Sequence, residues 1–66
     1  MKGLLEIVEQ DIRNLLKQEA ELTAAAKAAA ESGNVALCEE KLIALDKVHH
    51  AIFRKAFIYG QAKINT

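Results

Sequence analysis

The chain has 66 residues, 52% of them apolar, with nine Lys and Arg balancing nine Asp and Glu and no proline. Zero net charge speaks against an indiscriminate polyanion binder, and this length allows one domain whose core is marginal. So much apolar surface needs more cover than one small domain supplies.

Met1-Lys2-Gly3 is followed by Glu6, Glu9 and Asp11, which breaks any apolar run of signal-peptide or membrane-spanning length. The single Cys38 has no internal disulfide partner, as suits a reducing compartment. These features predict a cytoplasmic chain with no membrane association.

Gly3 can cap a first helix over about residues 4–31, and the acids of its early turns suit the positive end of the helix dipole, against which Lys2 acts. Leu5, Val8, Ile12, Leu15, Glu19, Leu22, Ala26 and Ala29 recur at alternating spacings of three and four, a heptad seam broken only by Glu19. Leu4, Ile7 and Leu16 lie off that seam and widen the apolar face. Six alanines around Lys27 in Ala24 to Ala30 predict a narrow end where the backbones approach; a slot for a partner's side chains is the alternative.

Glu31-Ser32-Gly33-Asn34 is the point about which the chain folds. Gly33 can adopt the left-handed conformation that ends a helix, and Asn34 can cap the next one. The turn is placed at 32–34, and a second helix at about 35–62, with fraying from Gln61 to Thr66.

The second helix carries a matching seam: Cys38, Leu42, Leu45, His49, Ile52, Ala56, Tyr59 and Lys63, broken by His49. Folding at the turn brings Leu22 towards Leu42 and Leu45, Leu15 towards His49 and Ile52, and Val8 towards Ala56 and Tyr59. The predicted fold is all-α, an antiparallel two-helix coiled-coil hairpin that completes a four-helix bundle by dimerising or by docking on a helical partner. Val48, Phe53, Phe57 and Ile58 are expected to project elsewhere, and with Leu4 and Leu16 they form the candidate partner-binding surface.

Glu19 and His49 are the candidate register pair, expected to be buried together inside the seam at a cost in stability. A metal reading, Glu19 with Asp46-x-x-His49, echoes the carboxylate and histidine pattern of di-iron bundles. Asp46 is short and sits on the flank of the seam, so no metal is expected. His49 and His50 project about 100° apart and cannot chelate together. Cys38 stands near a helix start, but Glu39 and Glu40 oppose a reactive thiolate and both histidines are distant. No glycine-rich phosphate loop is present. No catalytic residue, cofactor or small-molecule substrate is expected.

After Asp46 the charged side chains are all basic: Lys47, Arg54, Lys55 and Lys63, interleaved with aromatic residues. A basic surface with aromatic residues is the pattern of a nucleic-acid contact, the alternative reading. Antiparallel pairing also sets it beside Glu6, Glu9 and Asp11, and this mutual neutralisation is the favoured explanation.

Two helices joined at Ser32-Gly33-Asn34, a Leu42-x-x-Leu45 pattern continuing to Ile52, and the ending Tyr59-Gly60 together resemble the small co-chaperones of type III secretion needle subunits, over about Leu15 to Gly60. In that family the hairpin pairs with a larger helical-repeat chaperone, and the two hold the needle protein unpolymerised in the cytoplasm. Small dimeric regulators of the Rop type are similar in architecture. The resemblance implies a non-enzymatic chaperone or adaptor subunit acting through a protein partner or homodimer. The alternative is a homodimeric four-helix-bundle regulator that binds RNA or DNA.

Overall fold

The computed structural model describes residues 3–65. Two helices, α1 (Leu4–Glu31) and α2 (Val35–Ile64), pack against each other as an antiparallel hairpin. Gly3 is extended and caps α1 through its backbone: its carbonyl accepts the Ile7 amide at 3.1 Å. Glu6 lies in the first turn; the opposing charge of Lys2 falls outside the described residues. Helix α2 continues through Ile64, two residues past its expected end, within the stretch from Gln61 expected to fray. Thr66, the last residue of that expectation, is also outside the described region.

The turn is built as its residues dictate. The Asn34 amide donates to the Ala29 carbonyl at 2.8 Å and the Gly33 amide to Ala30 at 3.1 Å, the paired bonds of a Schellman ending. Gly33 has φ of 77°, and a Cβ there would meet nothing within 4 Å. The glycine is therefore required for its conformation and not for space. Asn34 then accepts the Leu37 amide through Oδ1 at 3.1 Å, satisfying a donor that the first turn of α2 would leave unpaired.

The α1 seam follows the heptad. Val8, Ala26 and Ala29 are buried, while Leu5, Ile12, Leu15, Glu19 and Leu22 are half-buried. The alanines lie beside the turn, where small side chains let the backbones approach.

On α2 the seam is shifted in half of its positions. Cys38, Leu45, Ile52 and Tyr59 are half-buried as expected, but the alternate positions are Lys41, Val48, Lys55 and Ala62, while Leu42, His49, Ala56 and Lys63 are exposed. Both tracks alternate steps of three and four, so periodicity alone does not separate them. Val48 is 8% exposed, and its expected place on the outer surface is corrected. The inner track buries a valine where the other would bury a histidine, and the aliphatic stems of Lys41 and Lys55 can lie along the seam, the Lys55 ammonium reaching Asp11 at its edge.

The hairpin measures 49 × 18 × 12 Å, too thin to enclose a large side chain, and no side chain in the described region is fully buried. Two valines and two alanines are the only buried residues described.

Candidate protein-binding face

Helix α2 is apolar on opposite sides, the pattern of a helix that is covered twice. With 3.6 residues per turn, residues seven apart form a nearly straight row. The row pointing away from α1 is Ala36, Ile43, His50, Phe57 and Ile64, all exposed, and Phe53 stands beside it. Phe53 is 72% exposed and Phe57 62%. With Arg54 and Ile58 they line a shallow apolar cleft.

Three of the predicted partner-binding residues, Phe53, Phe57 and Ile58, thus form one surface. Leu4 is exposed at the same end of the hairpin, in a separate depression with Leu5, Glu6 and Ala62. Leu16 is exposed on α1 and cannot join a row that faces away from α1; Val48 is inside. Ile43 and Ile64, 60% and 76% exposed, extend the outer row. Their signal was the seven-residue repeat with Phe57, masked by the seam on the other side of the same helix.

Polar contacts tie the helices together along their flanks. His49 Nε2 lies 2.7 Å from Glu19 Oε2, so the expected pair forms, but at the rim: the two side chains are 49% and 36% exposed respectively. Lys55 Nζ donates to Asp11 Oδ2 at 3.0 Å. The Tyr59 hydroxyl donates to Glu9 Oε1 at 3.0 Å, and Arg13 reaches the other Glu9 oxygen at 3.8 Å. The hydrogen bond to Glu9, with the negative charge behind it, raises the Tyr59 phenol above its ordinary 10.0.

Of the four bases considered for nucleic acid, Lys55 is held by Asp11 and Lys63 Nζ lies 5.9 Å from the Tyr59 ring centroid. Lys47 and Arg54 meet no carboxylate among the described residues.

Cys38 is a half-buried free thiol in the seam, and His50 is exposed. Among the described residues no three His, Cys, Asp or Glu side chains converge as a metal site, and no helix is long and apolar enough to cross a membrane.

The arrangement offers an apolar helix face, edged on one flank by Lys47 and Arg54 and on the other, before Phe53, by Glu39 and Asp46, on a scaffold held by its own separate seam. Comparison of the chain with protein-family models, curated proteins and solved structures finds no match.

Proposed function

We propose that this chain is a non-enzymatic protein-interaction module, a small chaperone or adaptor subunit of the cytoplasm that docks the outer face of α2 on a partner protein. The observation that carries this reading is the pair Phe53 and Phe57, mostly exposed on a helix already packed through its opposite side. The type III secretion co-chaperone resemblance is consistent with such a role: there too a hairpin acts by pairing with a larger helical protein.

Magnitudes set the extent of the contact. Covering both phenylalanines contributes about 2–4 kcal/mol, from about 1.5–3 per fully buried side chain, discounted for the area already covered. Association costs at least about 4 kcal/mol in lost rigid-body freedom. The contact must therefore extend to Ile58 in the cleft and along the row to Ile43 and Ile64.

Affinity capture from the source cell, comparing the parent with a Phe53→Ser/Phe57→Ser variant, tests the reading. A protein retained by the parent and lost from the variant is the expected result. Identical capture by both would contradict it.

A further inference from the structure

We infer that the occupant of the α2 face is an amphipathic helix of a second protein, with acidic residues beside its aliphatic seam, crossing α2 over Gly60. This rests on the docking role proposed above and specifies its partner. Three observations meet at the distal half of α2.

The first is Gly60 itself. Glycine inside a helix is a destabilising choice, normally explained by a left-handed backbone or by a close neighbour. Neither applies within this molecule: among the described residues only Gly33 is a glycine with positive φ, and a Cβ on Gly60 would meet nothing within 4 Å. A Cβ at Gly60 would have open space beside Phe57 and Ile64, although the glycine itself is half-buried. A bare backbone patch there lets the backbone of a crossing helix come close, with Phe53, Phe57 and Ile64 packing around it.

The second is charge. Lys47 and Arg54 are seven residues apart, in the row directly beside His50 and Phe57, and neither meets a carboxylate among the described residues. No Asp or Glu follows Asp46. A partner carrying carboxylates beside its apolar seam would answer this edge, giving faster association and a fixed orientation. An antiparallel pairing of α2 with the α2 of a second copy does so poorly. About a twofold axis near His50, each row on α2 meets the same row of the copy, setting cations against cations.

The third is shape. The row from Ile43 to Ile64 runs straight for about 30 Å at 1.5 Å per residue. A seven-residue apolar repeat is the pattern that another helix matches along its length.

The test uses the intact chain and two synthetic helical peptides with one leucine seam, flanked in one by glutamates and in the other by lysines, with binding read by fluorescence anisotropy. The acidic peptide should bind at least about tenfold more tightly than the basic one, and salt should erode the difference. Arg54→Glu should reverse the preference. Gly60→Ala should raise the melting temperature of the free hairpin, because alanine is the better helix former, yet weaken the acidic peptide by about tenfold. Unchanged affinity in Gly60→Ala would overturn the crossing point.

Equal binding of both peptides, lost on Phe53→Ser/Phe57→Ser, would overturn the acidic partner and leave the docking face standing. Binding that survives the double substitution would remove the face and the proposed function with it. Self-association that excludes the acidic peptide would assign the face to a second copy, and the absence of any binding would overturn the inference outright.

Discussion

Placing Asp at either of two α2 positions measures which side of the helix faces α1. Val48 is 8% exposed and Leu42 is 46% exposed. Val48→Asp forfeits about 1.5 kcal/mol of apolar burial and adds several kcal/mol for a carboxylate without water or a partner, at least about 4 kcal/mol together. A domain of this length has about 3–10 kcal/mol of stability, so this variant should be largely unfolded. Leu42→Asp leaves its carboxylate in water and loses only part of the leucine's burial, about 1–2 kcal/mol. Urea unfolding followed by far-ultraviolet circular dichroism gives both values. A Leu42→Asp cost equal to or above that of Val48→Asp would refute the seam described here and restore the track through Leu42 and His49.

The other expectations follow from single contacts. Glu19 and His49 meet at the rim, so a double-mutant cycle to alanine should give a coupling of about 0.2–1 kcal/mol that shrinks with added salt; several kcal/mol would mean a desolvated pair. Because the Tyr59 phenol titrates above 10.0, its contribution to stability is fully present below its unfolded value and is lost as pH rises through the raised folded value. Tyr59→Phe should abolish that alkaline limb of the stability profile, and an unchanged limb would contradict the Glu9 contact. At the turn, Gly33→Ala should cost about 1 kcal/mol through its positive φ, and Asn34→Ala about 0.5–2 kcal/mol through the lost cap, both read from the urea midpoint.

Much of this architecture was legible from local chemistry. A glycine followed by an asparagine specifies a helix ending and a new start, whatever surrounds them, and Gly33 and Asn34 adopt those conformations. The α1 seam was equally readable, because Leu5 to Ala29 form one apolar track interrupted only by Glu19 and the opposite side is polar or alanine. Helix α2 was ambiguous: with apolar residues on nearly every side, two heptad tracks sharing Cys38, Leu45, Ile52 and Tyr59 fit the sequence.

The choice between those tracks belongs to packing. It exchanges the exposure of Leu42 for the burial of Val48, and burying the stems of Lys41 and Lys55 has no signature in hydrophobic periodicity. The same ambiguity concealed the outer row: Phe53 and Phe57 stood out by size, whereas Ile43 and Ile64 acquire meaning only once the inner side is fixed. The Glu19 and His49 pairing was legible, but its shallow setting was not, since burial depth depends on the 12 Å thinness of the hairpin.

The central claim, that the outer face of α2 is a contact surface separate from the hairpin's own core, is tested most directly by Phe53→Ser/Phe57→Ser in the free chain. Both rings are more than half exposed and lie outside the seam, so the unfolding free energy of the monomer should change by no more than about 0.5 kcal/mol, as for surface substitutions, with helical content preserved. A loss of helix, or destabilisation approaching the roughly 3–5 kcal/mol of a core phenylalanine truncation, would show that the two rings belong to the fold's only core.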